Sequence, residues 1–208
     1  VGEGTDMVDA SIHYRLGANI ENLMLLGSAD LQGYGNELAN TLTGNAGSNL
    51  LDGGAGADAM YGGAGNDTIF GDIGPDVIYG WDPANANNLT APDNDVIYGD
   101  AALDRIFSAA EIALYSKDAH DIVDAGPGDD IVYGQLGSDT LSGGWGSDTL
   151  YAGFSASGGG LATDINTING DVSDVVLPPE LNFAGQRDKI YGDIGPDVLN
   201  GNFGNDTI

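Results

Sequence analysis

Aliphatic side chains recur along this chain every nine residues, each preceded by a run rich in glycine and aspartate. Three stretches share the pattern Gly-Gly-x-Gly-x-Asp-x-U-x, in which U is aliphatic: 53–61, 62–70 and 143–151. Variants of the pattern occupy 44–52, 71–79, 125–133, 134–142, 192–200 and 201–208. A pattern that recurs in phase predicts a repeat architecture.

The period also decides the type of element. One aliphatic residue in nine cannot form the apolar stripe of a helix, but it fits a short strand at positions seven to nine with only the eighth side chain inward. Glycines at positions one, two and four supply backbone angles that residues with a Cβ resist. Two half-turns make a coil of eighteen residues, and stacked coils form two parallel sheets about one core. The eighth position holds Leu42, Leu51, Met60, Ile69, Ile78, Ile97, Ile106, Val123, Val132, Leu141, Leu150, Ile190, Leu199 and Ile208.

Composition adds charge to this picture. The 208 residues include 35 Gly, no Cys, and 32 acidic against 5 basic residues, for a formal charge of -27. A chain this acidic does not bind nucleic acid through its own field. We expect no membrane span, because no window approaches the roughly eighteen apolar residues that one needs. Only five acidic residues are Glu, which leaves 27 Asp, and short carboxylates are typical of tight turns and metal loops.

The sixth position concentrates this acid. Copies eighteen residues apart lie on the same side of the coil, which predicts four stacked pairs: Asp58 with Asp76, Asp121 with Asp139, Asp130 with Asp148, and Asp188 with Asp206. Two carboxylates at roughly 5 Å repel by about 1 to 3 kcal/mol, so a bare column is unstable. Ca²⁺ accepts 6 to 8 oxygens in a flexible geometry, whereas Mg²⁺ demands a rigid octahedron and Zn²⁺ prefers softer ligands. We therefore expect calcium.

These residues resemble the RTX, or hemolysin-type calcium-binding, nonapeptide repeat family over residues 40–208, with interruptions. The segment 4–40 resembles the lead-in of such arrays. The resemblance implies an all-β, right-handed parallel β-roll (a β-helix solenoid) with several Ca²⁺ ions shared between adjacent turns. It carries the ligand role onto the sixth-position side chains Asn49, Asp58, Asp67, Asp76, Asp95, Asp104, Asp121, Asp130, Asp139, Asp148, Asp188, Asp197 and Asp206. It carries the carbonyl role onto the loop glycines Gly54, Gly56, Gly63, Gly65, Gly74, Gly128, Gly137, Gly144, Gly146, Gly195 and Gly204.

Departures from the pattern predict local differences. Asn40 and Asn49 are neutral, so we expect the first turns to bind calcium more weakly or to cap the stack. The stretch 80–98 spans nineteen residues, which predicts a vacant or distorted site. We divide the chain into a β-strand lead-in or N-terminal cap (1–39), repeat blocks at 40–107, 121–151 and 188–208, and insertions at 108–120 and 152–187, and we expect the array to continue beyond both ends.

The insertions and aromatic residues allow two interpretations each. The insertion residues 108–115 predict a short helix, and we favour ordinary surface loops over binding elements. The ninth position places Tyr61, Tyr79 and Tyr98 in a predicted outward ladder on one sheet, where cross-strand pairs stabilise the strands. A sugar-binding or packing surface is the alternative.

Catalytic motifs are absent from the sequence: there is no H-E-x-x-H, G-x-S-x-G or P-loop. We expect His13 and His120 to be structural or surface residues, and we expect the chain not to be an enzyme.

The favoured hypothesis is a structural segment of a secreted or cell-surface bacterial protein, such as an adhesin, surface-layer or fibre element. The alternative is an accessory calcium module of an enzyme or toxin, such as a protease, lipase or alginate epimerase, whose catalytic domain lies elsewhere. The resemblance implies export by type I secretion machinery; other copies of the chain and cell-surface glycans are further candidate partners.

Overall fold

The computed structural model describes residues 4–81, 94–100, 120–135, 138–153, 167–171, 187–192, 197–201 and 206–208. This part of the chain is all-β. Its strands are β1 (Met7–Ala10), β2 (Tyr14–Arg15), β3 (Asn22–Leu25), β4 (Gln32–Asn36), β5 (Thr41–Thr43), β6 (Leu50–Ala55), β7 (Ala59–Gly63), β8 (Thr68–Ile73), β9 (Val77–Trp81), β10 (Val96–Asp100), β11 (Ile122–Pro127), β12 (Ile131–Tyr133), β13 (Thr140–Trp145), β14 (Thr149–Tyr151), β15 (Thr167–Asp171), β16 (Lys189–Tyr191) and β17 (Val198–Asn200). Across these ranges no helix is long and apolar enough to cross a membrane.

The strands alternate between two parallel sheets. The odd-numbered strands form a nine-stranded sheet in the order β1-β3-β5-β7-β9-β11-β13-β15-β17, and the even-numbered strands form an eight-stranded sheet. Each coil therefore adds one strand to each sheet, and every pairing is parallel. The predicted parallel β-roll is confirmed. The lead-in belongs to the same stack, since β3 pairs with β5 and β4 with β6.

The eighth position forms the core as predicted. Leu42, Met60 and Ile78 are register partners in successive strands of the first sheet, and all three are fully buried. Leu51 and Ile69 begin the matching column of the second sheet. Burying one such side chain contributes roughly 1.5 to 3 kcal/mol. Three members differ: Leu199 is half-buried, Ile208 is 68% exposed, and Ile106 lies outside the described residues.

The register shifts after β9, and one sequence prediction fails there. Strand β10 pairs with β8 and not with β9, so Tyr98 lies on the other sheet from Tyr61 and Tyr79. The nineteen residues 80–98 are one half-turn of nine with ten residues added, and not one coil of eighteen with one added. Strand β9 pairs directly with β11. Asp104 and the predicted helix at 108–115 lie outside the described residues.

The structure also differs from the sequence prediction within the interval 152–187. Strand β15 lies within it and pairs with β13 and β17, so this segment is not wholly an insertion. Ile168 is fully buried in the core column. The strand was missed because the nine-residue unit 161–169 has Asn at position six and no Gly at positions one, two and four.

Aromatic rings at the ninth position stack along the second sheet. Phe70, Tyr98, Tyr133, Tyr151 and Tyr191 form a continuous aromatic ladder, with neighbouring ring centroids 4.8 to 5.0 Å apart and planes within 10°. On the first sheet, Tyr61 and Tyr79 stack at 5.4 Å. Ring faces within the ladder are covered by neighbouring rings, which is the packing that stabilises adjacent strands.

Candidate metal-binding turns

Glycine at positions two and four lets adjacent turns approach closely. Gly54 and Gly56 have φ of 96° and 136°, and a Cβ on either would lie 2.5 or 2.6 Å from the carbonyl oxygens of Asn36 and Leu38 in the preceding turn. Positive φ is found at all eight described members of the predicted glycine set: Gly54, Gly56, Gly63, Gly65, Gly74, Gly128, Gly144 and Gly146. Gly137, Gly195 and Gly204 lie outside the described residues.

Glycine at position one has a different role from the predicted one. No positive φ is recorded at Gly53, but a Cβ there would lie 2.5 Å from Oδ2 of Asp58 in the same turn. Position one thus provides space for the sixth-position carboxylate, and not an unusual backbone angle.

Most sixth-position aspartates of the described residues are buried, and they form two columns along the stack. Asp58 and Asp76 are 2% and 0% exposed, and Oδ1 of Asp76 accepts the backbone N–H of Asp58 at 2.8 Å. The same hydrogen bond joins Asp121 to Asp139, Asp130 to Asp148, and Asp188 to Asp206, so all four predicted pairs are confirmed. The first column runs Asn40, Asp58, Asp76, Asp121, Asp139, and the second runs Asn49, Asp67, Asp95, Asp130, Asp148, Asp188, Asp206. Asp197 precedes β17 and is half-buried.

The electrostatic cost of these columns lies at the second carboxylate oxygen of each aspartate, Oδ2. Oδ2 of Asp58, Asp76 and Asp188 is buried and accepts no hydrogen bond. Burial, with a smaller contribution from the neighbouring carboxylate of Asp72, raises the pKa of Asp58 to about 6 and that of Asp76 to about 7. Burial likewise raises the pKa of Asp188 to about 6. A buried ionised oxygen without a partner is costly, so these turns favour either a proton or a cation.

The available ligands fit calcium. The described residues contain no group of three or more His, Asp or Glu side chains that could hold a metal ion alone. An ion between turns must therefore combine carboxylates with the main-chain carbonyls that the glycines bring close. A flexible, all-oxygen ligand set of this kind suits Ca²⁺, whereas Zn²⁺ prefers nitrogen and sulfur and Mg²⁺ requires a strict octahedron.

A second side-chain ladder lies at position five and was not predicted. The N–H of Asn94 donates to Oδ1 of Asn66, and the N–H of Asp129 donates to Oδ1 of Asn94, both at 3.0 Å. These bonds run from the later coil to the earlier one, opposite to the bonds at position six. The two histidines act in the same way, because Nδ1 of His13 and of His120 accepts a backbone N–H of the next coil. The signal in the sequence was the polar residue that often precedes the sixth-position Asp.

Asn49 does not fit the ligand role that the sequence prediction gave it. Its Oδ1 accepts the N–H of Asn45 at 2.6 Å, and its Nδ2 donates to Oδ1 of Asn45 at 3.0 Å. The side chain closes its own turn, so the geometry places Asn49 among the capping residues.

Buried carboxylate columns and stacked carbonyl turns between two parallel sheets define a calcium-binding parallel β-roll. The RTX calcium-binding nonapeptide repeat matches residues 34–69, 61–82, 91–110, 115–154 and 185–208, which is more than half of the chain. The chain belongs to this family of calcium-binding repeats. Searches of curated proteins and of solved structures return no match.

Proposed function

We propose that this chain is a calcium-folded structural repeat segment of a secreted or cell-surface bacterial protein, and that several ions occupy its turns. The observation that supports the proposal best is the pair of buried aspartate columns. Oδ2 of Asp58, Asp76 and Asp188 lies in each case in a buried turn without a hydrogen bond, and adding a divalent cation converts repulsion into attraction.

The chain's own residues then couple binding to folding. Without a cation, the columns bring like charges together and remove them from water, which opposes stacking of the coils. A bound calcium ion supplies the missing positive charge, and its binding free energy becomes folding free energy. The Oδ1 atoms keep each turn in register by accepting a backbone N–H of the preceding coil.

This coupling suits a protein that crosses the cell envelope unfolded. RTX repeat proteins are typically secreted by bacteria, and by resemblance we propose export through type I secretion machinery. Low calcium inside the cell keeps the columns apart, and calcium outside allows the coils to stack. Other copies of the chain and cell-surface glycans remain proposed partners of the folded array.

A structural role is favoured over an enzymatic one. The stack of nine strands extends about 40 Å at the usual strand spacing. The aromatic side chains that face outward stack on one another. An adhesin, surface-layer or fibre element uses such a rod directly. An accessory module of a protease, lipase or epimerase would need a catalytic domain in the flanking reading frame, and sequencing that frame distinguishes the two.

Circular dichroism of the purified chain tests the calcium proposal. We expect most of the β signal to be lost in chelator and restored by millimolar Ca²⁺, with no restoration by equal Mg²⁺. A spectrum that is the same in chelator and in calcium overturns the proposal.

A further inference from the structure

Two turns near the start of the stack carry asparagine at both positions two and six. The turn 35–40 contains Asn36 and Asn40, and the turn 44–49 contains Asn45 and Asn49. Each turn stacks on a lead-in turn, 17–21 or 26–30, that has no nonapeptide pattern. These two interfaces are chemically different from the aspartate turns that follow.

In the first interface, amide hydrogens hold the carbonyls of the lead-in. Nδ2 of Asn36 donates to the carbonyl oxygens of Gly17 and Ile20 at 2.9 and 2.7 Å. Nδ2 of Asn40 donates to those of Ile20 and Glu21 at 3.1 and 3.3 Å. Oδ1 of Asn40 accepts the N–H of Asn36 at 2.7 Å. The carbonyls of this turn pair are therefore balanced by neutral donors.

In the second interface Asn45 donates to the lead-in, and Asn49 donates to Asn45 within the turn. Nδ2 of Asn45 donates to the carbonyl oxygens of Leu26 and Ala29 at 3.3 and 3.1 Å. Its Oδ1 accepts the N–H of Gly47 at 2.8 Å and the Nδ2 of Asn49 at 3.0 Å. All polar side-chain atoms of the four asparagines thus have hydrogen-bond partners.

Comparison with an aspartate turn shows what the amide changes. A Cβ on Gly35 would lie 2.6 Å from Oδ1 of Asn40, and a Cβ on Gly53 would lie 2.5 Å from Oδ2 of Asp58, so the two oxygens occupy equivalent places. The Asn40 oxygen accepts a hydrogen bond and the Asp58 oxygen does not. The other terminal atom of the two side chains differs. Nδ2 of Asn40 donates to a carbonyl of the preceding turn, whereas Oδ1 of Asp58 accepts a backbone N–H from the preceding turn.

We infer that the two asparagine interfaces exclude calcium and form a metal-independent cap that the calcium-dependent coils are added to. A cation would have to displace amide donors that already satisfy the carbonyls, and it would gain no carboxylate at position six in return. The cap presents the backbone N–H groups of Asn40 and Asn49, which donate to Asp58 and Asp67 at 2.7 Å. It thereby offers the first two aspartates a fixed register. The inference rests on the proposed calcium-driven folding of the later coils.

Hydrogen exchange of the full chain, followed by mass spectrometry, tests the cap. In calcium-free buffer we expect amides of β3, β5 and β6 to exchange at least about tenfold more slowly than those of β11 to β14. Calcium should then protect both regions. Equal exchange of the two regions without calcium overturns the cap. If calcium protects neither region further, the proposed function fails, and this outcome is distinct from failure of the cap.

A matched pair of variants tests the amide donors. Asn40→Asp replaces the donor with a charged acceptor, and we expect its calcium-free protection in β3, β5 and β6 to fall about tenfold, to the level of β11 to β14. Asn19→Asp makes the same change at an exposed position and should keep the wild-type protection. Wild-type protection in Asn40→Asp would show that the donors are dispensable and would overturn the inference.

Discussion

The backbone N–H of Asp76 donates to Oδ1 of Asp121 at 2.8 Å, although 45 residues separate the two. The neighbouring links of this column, Asp58 to Asp76 and Asp121 to Asp139, each join residues eighteen apart. The column therefore keeps the same hydrogen bond where more than one coil's length of sequence separates its members. Each link depends on local turn geometry and not on the length of chain between its members.

Removing two stacked carboxylates should weaken calcium-dependent folding. We expect Asp130→Ala combined with Asp148→Ala to lower the stability of the calcium-bound chain by about 3 kcal/mol, because both column hydrogen bonds and ligand oxygens are lost. Urea denaturation in saturating calcium measures the change. Asp9→Ala with Glu37→Ala removes the same charge at exposed positions and should have little effect. Equal losses in the two double variants would show that the columns have no special role.

The buried aspartates predict an unusual pH dependence in calcium-free buffer. The pKa of Asp58 is about 6 and that of Asp76 about 7 in the folded chain, against an ordinary value of 3.8. The folded state thus holds its protons more tightly, and its stability falls as pH rises from about 4 to about 7. Without calcium we expect more folded chain, measured as β signal by circular dichroism, at pH 5 than at pH 8.

Calcium should reverse this trend, because protons and calcium compete for the same oxygens. The control is Asp58→Asn with Asp76→Asn, which removes two of the titrating groups and should make the calcium-free pH dependence shallower. A calcium-free wild-type chain that is more stable at pH 8 than at pH 5 would contradict the assignment.

The turn glycines should resist substitution according to their geometry. We expect Gly56→Ala to destabilise the calcium-bound chain by about 2 kcal/mol, because φ is 136° and the new Cβ would lie 2.6 Å from the carbonyl oxygen of Leu38. Gly17→Ala is the control, since the nearest atom to its Cβ would be 3.9 Å away. Thermal denaturation in calcium compares the two. A larger loss in Gly17→Ala would contradict the packing of the turns.

The sequence predicted the parts of the structure that depend on the nine-residue period. The inward column of Leu42, Met60 and Ile78 and the pairing of Asp130 with Asp148 both follow from counting. Counting failed where extra residues separate two repeats, because lengthening a connection costs little and leaves no mark on the register. Tyr98 was therefore assigned to the wrong sheet, and Ile168 was not recognised as a core residue.

Hydrogen-bond direction could not be predicted from the sequence. Asn40 has the shape of aspartate and occupies the same position, so a pattern treats the two as close variants. The difference arises because the lead-in turn beneath Asn40 offers carbonyls, whereas the turn beneath Asp58 offers a backbone N–H. That partner lies in another coil and depends on the register of the whole stack.

The aromatic ladder should contribute to stability without contributing to calcium binding. Tyr133 stacks on Tyr98 at 5.0 Å and on Tyr151 at 4.8 Å, whereas Tyr191, among the described residues, stacks only on Tyr151. We expect Tyr133→Ala to cost about 2 kcal/mol and Tyr191→Ala about half as much, because each lost ring contact is worth roughly 0.5 to 1.5 kcal/mol. Urea denaturation in saturating calcium measures both, and isothermal titration calorimetry counts the ions. The count should stay at the wild-type value in both variants, because the rings project from the strands while the ligand oxygens lie in the turns. Equal losses of stability for the two variants would contradict the link between ring contacts and stability. Fewer ions bound by Tyr133→Ala would contradict the separation of the ladder from calcium binding.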